Sequence, residues 1–164
     1  MVVVRCTRKL LDRLGLVTSS EMRSTTALGD WYATILFTKP QHVVLLVNAS
    51  TRLPVVIAAR DLSTLPSRFA TGLAAVLTDL QIPEEAIAGE LREMQDVVFS
   101  TTASRSVLGT MNDYAIYIEA AFRHENGVAL HTLSLALADT PVGPLGYDRP
   151  RDVARRQLSG TTLS

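Results

Sequence analysis

The chain predicts an α+β single domain: a mainly antiparallel sheet of four to five strands, built on a central three-strand meander and packed with several helices. Three observations carry this. Three short β-rich runs follow one another through tight turns between residues 31 and 58. Runs with apolar residues at helical spacing dominate from residue 63 onward. The length, 164 residues, holds one sizeable core but not two comfortable ones.

Residues 2–6, Val-Val-Val-Arg-Cys, read as a buried strand. Thr7 can cap a short helix with Leu10, Leu11 and Leu14 on one face and Gly15 as its stop. Residues 16–29 lack periodicity and carry Thr18, Ser19, Ser20, Ser24, Thr25 and Thr26. They read as a long polar loop, of the kind that is functional or mobile in compact domains. Residues 31–38 alternate in strand fashion and are rich in aromatic and β-branched side chains. Lys39-Pro40-Gln41 turns into a second strand at 42–48, and residues 49–52 turn into a third at 53–58. Such short connections favour antiparallel pairing. The middle run, Val43-Val44-Leu45-Leu46-Val47, is apolar on both faces, so both faces of the sheet are expected to be covered.

Ser63 is the expected cap of a helix to about residue 80, with Leu65, Phe69, Leu73, Val76, Leu77 and Leu80 as its stripe. Pro83 takes the first position of the next helix, and Glu84 and Glu85 face the positive end of its dipole. Ile87, Leu91 and Met94 form its buried side, and residues 97–101 make a short strand. A long helix spans 105–122, with Val107, Met111, Ala115, Ile118 and Phe122 inward; Glu125-Asn126-Gly127 ends it. Residues 129–138 form a further helix with Leu130, Leu133 and Leu137 inward, and 140–144 are irregular. The domain is read as residues 1–148, with 149–164 a short polar C-terminal helix that grades into a frayed tail at 159–162. Leu46, Phe69, Leu73, Leu77, Met111 and Ile118 are the expected deep core.

The composition narrows the function classes. Sixteen basic and sixteen acidic residues cancel, so no global field attracts nucleic acid or anionic lipid, and any polyanion site has to be local. Only 5% of residues are aromatic, which disfavours a surface of base-stacking rings. No run approaches the roughly 20 apolar residues of a membrane helix, and the charged N-terminus does not look like a signal peptide. Cys6 is the sole cysteine, which fits a reducing cytoplasm and a small buried hydrophobe. A reactive thiol there would need an activating neighbour such as a helix terminus.

The most informative stretch is residues 104–113, Ser-Arg-Ser-Val-Leu-Gly-Thr-Met-Asn-Asp. Gly, Asn and Asp are poor helix formers, and here they sit in the first turns of an otherwise apolar helix. At 100° per residue, Arg105 and Asn112 share a stripe with Gly109 beside it, while Ser106, Thr110 and Asp113 share another. A donor fork, an amide, a backbone gap and a hydroxyl–carboxylate row near one helix N-terminus suit an anion. Asp30 and Trp31, in Gly29-Asp30-Trp31-Tyr32, are the residues expected to complete the site, with Asp30 as a partner for Arg105. The structural alternative has Ser104 capping the helix, Gly109 marking a tight helix–sheet crossing, and Asn112 and Asp113 bonding neighbouring loops. Arg5, Arg8, Lys9 and Arg13 make the N-terminal region locally basic, most simply as a solvated helix face.

His42, His124 and His131 have no ligand spacing with Cys6 or each other, so no metal is expected. No phosphate loop, dinucleotide fingerprint or nucleophile elbow occurs, and no cofactor is expected. Glu84, Glu85, Glu90 and Glu93 read as exposed helix acids.

Five segments together, Arg5-Cys6-Thr7-Arg8-Lys9-Leu10-Leu11, Leu28-Gly29-Asp30-Trp31-Tyr32-Ala33, Leu45-Leu46-Val47-Asn48, residues 104–113 and Asp139-Thr140-Pro141, resemble an uncharacterised family of small bacterial proteins. It is one of the domain-of-unknown-function families. The similarity extends to about Leu145, and Arg-Ser-Val-Leu-Gly-Thr-Met-Asn-Asp is its specific part. The resemblance implies a stand-alone soluble bacterial domain and no particular activity. Two functional classes follow from the residues. One is a non-enzymatic binding or regulatory module for a small anionic ligand or a protein partner. The other is a hydrolase or nuclease-like enzyme of a bacterial defence or toxin system, in which Arg105 holds a phosphate and Asp113 or Asp30 acts as base or metal ligand. The second requires Asp30 and Asp113 to converge.

Overall fold

The β-branched runs assemble one five-stranded sheet in the computed structural model, which describes residues 1–15 and 22–159. The strands are β1 (Val2–Cys6), β2 (Trp31–Leu36), β3 (Val43–Asn48), β4 (Pro54–Ala58) and β5 (Val97–Thr101), in the order β4-β3-β2-β1-β5. The meander β2-β3-β4 is antiparallel, with Ala33 opposite Leu46 and Leu46 opposite Val55. β1 joins it parallel to β2, and β5 pairs parallel to β1. Parallel neighbours need crossovers. The chain supplies α1 (Arg8–Leu14) between β1 and β2, and α2 (Leu65–Asp79) and α3 (Glu84–Glu93) between β4 and β5.

Strand alternation sends side chains to two cores. Val4, Trp31, Ala33, Leu46 and Val55 face one side and meet Leu10 of α1, Phe69, Leu73 and Leu77 of α2, and Ile87 of α3. Tyr32, Leu45, Val47 and Val56 face the other and meet Val107, Met111, Tyr114 and Ile118 of α4 (Arg105–His124). The both-faced apolar run of β3 is therefore covered on both faces. All six residues expected in the deep core are buried. α5 (Leu130–Ala138) lies against β4, and the Val56 amide donates to Ser134 Oγ at 2.9 Å. α6 (Pro150–Ser159) buries Ala154 and Leu158 in the α2 side core.

Local chemistry departs from the sequence expectation at several helix starts. Thr7 precedes α1, but its hydroxyl bonds the Thr34 hydroxyl and does not cap. A short 3-10 turn, Leu62–Thr64, leads into α2; Ser63 Oγ bonds Asp61 Oδ1 and does not cap either. Pro83 stands one place before α3, at the cap position. Ser104 does cap α4, accepting from the Val107 amide at 3.2 Å. Gly15 ends α1 in the left-handed region, where glycine carries no Cβ penalty. The segment before β2 is pinned from residue 24 onward: Val3 N donates to Ser24 Oγ, and the Ala27 and Leu28 amides donate to Glu90. Residues 16–21 of the expected polar loop, and the tail from residue 160, lie outside the described residues.

Candidate functional site

The N-terminus of α4 stands over one end of the sheet. Tyr32, on the α4 face of β2, accepts the Ser104 amide at 2.9 Å through its phenolic oxygen. The β3–β4 turn comes in beside it. That turn is organised by Asn48, which is wholly buried. Its amide group donates to the carbonyls of Leu28 and Asp30, and its Oδ1 accepts from the Ser50 and Thr51 amides. The turn ends on Arg52 in the left-handed region, at φ 60°. A non-glycine residue there stores conformational strain, which is retained where the surroundings enforce it.

Arg52 is the main residue that sequence reasoning missed. An arginine in a polar turn reads as solvated, yet this one is only 8% exposed. Nη2 donates to Ser106 Oγ at 2.9 Å, while Nε and Nη1 are buried without a hydrogen-bond partner among the described residues. The Arg52 carbonyl accepts from the Tyr114 hydroxyl at 2.8 Å. Burial pushes the Arg52 pKa below its ordinary value, opposed by Tyr114 and then Tyr32. An arginine stays charged regardless, so a cation lies buried beside the positive end of a 20-residue helix.

The expected constellation is split. Ser106 belongs to this arrangement. Arg105 is exposed and makes no hydrogen bond or ion pair among the described residues; it does not meet Asn112 or Asp30. Asp30 is taken by Arg5 Nε at 3.1 Å and Ser24 Oγ at 2.7 Å. The arginine that pairs with Asp30 is therefore a strand neighbour of Tyr32, not the helix residue. Gly109, Asn112 and Asp113 lie on the solvent face of α4. A Cβ at Gly109 would meet nothing within 4 Å, so the tight helix–sheet crossing is not there. That crossing occurs at Gly72 of α2, where a Cβ would lie 3.0 Å from Val55 and 3.1 Å from Ile57. Trp31 is fully buried on the opposite face of the sheet, edge-on to Phe69 at 5.0 Å between ring centres.

Two further readings of single residues change. Glu90 is not an exposed helix acid but is 2% exposed, holding the Ala27 and Leu28 amides. Cys6 is buried, and burial pushes its thiol up to about 12, which removes the thiolate that reactivity needs. Among the described residues, no group of three or more His, Cys, Asp and Glu side chains is placed to hold a metal ion. No described helix is long and apolar enough to cross a membrane.

The chain matches no curated protein and no solved structure. Residues 3–153, from β1 to within α6, match the family described as Domain of unknown function (DUF6933). That span takes in β2 to β5, all of β1 but Val2, and the whole of the Arg52–α4 arrangement, and it agrees with the resemblance carried by the five sequence segments. The chain belongs to this family of unknown function.

Proposed function

We propose that the protein is a non-catalytic binding module that holds a small anionic group, a carboxylate or phosphate, at the N-terminus of α4. The observation that carries this reading is the Arg52 guanidinium: 8% exposed, with two of its three nitrogens unpartnered among the described residues. Leaving a buried charge uncompensated costs several kcal/mol. The helix dipole adds to that cost, and the carboxylate of Asp30 is already occupied by Arg5. An anion relieves both. It would displace the exposed Ser106 hydroxyl from Nη2 and take a second N–H of the fork, the geometry in which arginine binds carboxylates and phosphates best. Arg105, at the first position of α4, supplies attraction from the rim.

The test is a thermal-unfolding titration with inorganic phosphate, sulfate and acetate, on the wild type and on Arg52→Met. A bound anion stabilises the native state by about 2.7 kcal/mol at a hundred times its dissociation constant. The wild type should show such a rise for at least one anion. Arg52→Met should lose it while being no less stable without anion, because an apolar side chain of similar length replaces an unpaired charge. A destabilised Arg52→Met with an unchanged anion response would make Arg52 a structural residue and overturn the reading.

A further inference from the structure

At the other end of α4 a separate cleft of about 530 Å³ opens between α1, the segment after β2 and the last turns of α4. It is lined by Leu36, Phe37, Thr38, Lys39, Glu119, Phe122 and Arg123, with Lys9 on its α1 side. Phe37 is 46% exposed, an unusual position for a phenyl ring beyond a strand end. Two cations sit over it: Arg13 with its guanidinium carbon 4.6 Å from the ring centre, and Lys9 with Nζ at 5.7 Å. His42 meets the ring edge-on at 5.1 Å.

The charges here are unspent. Elsewhere Arg5, Arg149, Arg151, Arg155 and Arg156 are paired with carboxylates, and Arg105 is unpaired among the described residues but stands alone; what distinguishes this cleft is that several unpaired cations gather round one exposed ring. Lys9, Arg13, Lys39 and Arg123 make no ion pair or hydrogen bond among the described residues; Lys9, Lys39 and Arg123 line one opening, and Arg13 joins them over the Phe37 ring. Glu119 is the one acid among the lining residues. The neutral total of the chain hides this local field.

We propose that this cleft binds single-stranded nucleic acid, one base stacking on Phe37 while Lys9, Lys39 and Arg123 follow the backbone phosphates. Unpaired cations alone fit any polyanion. The exposed ring between them selects one with flat aromatic groups, since stacking on phenyl and guanidinium planes is how single strands are held without regard to sequence. A volume of this size takes one nucleotide. The lining offers little to read a base edge: Thr38 Oγ1 is spent on the Gln41 carbonyl, which leaves Glu119. That favours a sequence-tolerant strand over a specific free nucleotide. The cations come from three separate segments and so reach more than one phosphate. This inference does not rest on the Arg52 reading, whose residues lie at the opposite end of α4.

The experiment is fluorescence anisotropy of labelled oligo-dT and oligo-U about ten nucleotides long, titrated with the full chain from about 50 to 200 mM salt. Binding should weaken with salt, with a slope near 0.7 per phosphate neutralised. Phe37→Leu, which keeps an apolar side chain at an exposed position, should weaken binding at least about fivefold through lost stacking. Lys39→Ala and Arg123→Ala should each lower the salt slope by roughly one contact. Arg52→Met should bind the strand as the wild type does. Lack of binding at the lowest salt overturns the proposal. So does binding that Phe37→Leu leaves unchanged, or equal affinity for polyglutamate or for a blunt duplex, since each would reduce the cleft to a charge effect.

Discussion

At the scale of single residues, burial decides what chemistry remains. Glu90 sits on α3, whose other acids Glu84, Glu85 and Glu93 are exposed. Its carboxylate turns inward because the segment before β2 presents two amides, Ala27 and Leu28, that no strand or helix partner satisfies. Burial raises the Glu90 pKa, and the two amide bonds only partly offset it. A carboxyl whose pKa is raised by folding stabilises most below its unfolded value and loses that contribution as the pH rises through the folded value. Glu90→Gln keeps an acceptor for the amides and removes the titration. The stability of Glu90→Gln relative to the wild type should therefore increase from pH 4 to pH 7, read as the difference in Tm between the two proteins in matched buffers. A difference that is flat with pH would show that the amide bonds fully offset burial, and one that falls that they outweigh it. Its position, three residues after Ile87 and four before Met94, lies on the buried stripe, but a carboxylate there reads as an edge residue until the two amides that hold it are known.

At the scale of elements, the parts that repeat a simple period were legible and the parts set by tertiary partners were not. The meander and the stripe of α2 follow from alternation and from 3.6-residue spacing, and each appears where its residues require. Helix starts were harder. Thr7 and Ser63 have the right chemistry for caps, but their hydroxyls have better partners in Thr34 and Asp61. The parallel placement of β1 and β5 depends on crossovers that no local pattern encodes. At the edge of β4 a single buried bond ties a helix to the sheet. Exposed edges invite pairing with other chains, and α5 packs against this one, leaving a cleft between itself and α2. Ser134 on α5 satisfies the Val56 amide in a buried setting. Ser134→Ala leaves that donor orphaned and should cost about 1–3 kcal/mol, measured by urea unfolding. Ser134→Thr, which keeps the hydroxyl, should lose less if the added methyl is accommodated. A loss for Ser134→Ala within error of zero would mean that water reaches the amide and that α5 is a loose cover.

At the scale of the whole molecule, the candidate site was legible as a place and not as a set of residues. The unusual composition of residues 104–113 pointed to the N-terminus of α4, and that end of the helix does carry a buried charge. The charge comes from Arg52, brought in by a turn more than fifty residues earlier, while Arg105 faces solvent. Long-range convergence of this kind is carried by topology, so one-dimensional spacing cannot reveal it. The C-terminal boundary shows the same principle. Residues 149–159 are polar enough to read as an appendage, with Arg151, Asp152, Arg155, Arg156 and Gln157 in one turn after another. Yet α6 closes the α2 side core with Ala154 and Leu158. Arg155 Nε also donates to the Leu80 carbonyl at 2.8 Å, and Gln157 Nε2 donates to the Ala27 carbonyl at 3.0 Å. Those two bonds tie α6 to the end of α2 and to the segment that Glu90 holds. Removing the chain from residue 149 onward would therefore take Ala154 and Leu158 out of the α2 side core and free the Ala27 and Leu80 carbonyls at once. A chain of residues 1–148 should bind a dye specific for exposed apolar surface and should unfold at a clearly lower temperature than the full chain. Leu158→Ala offers the graded version, with a loss toward the lower end of the 2–5 kcal/mol typical of buried leucines, about 2 kcal/mol, because the side chain sits at the edge of its core. Equal stability of the full chain and the 1–148 chain would make α6 an appendage after all and place the domain boundary where composition alone puts it.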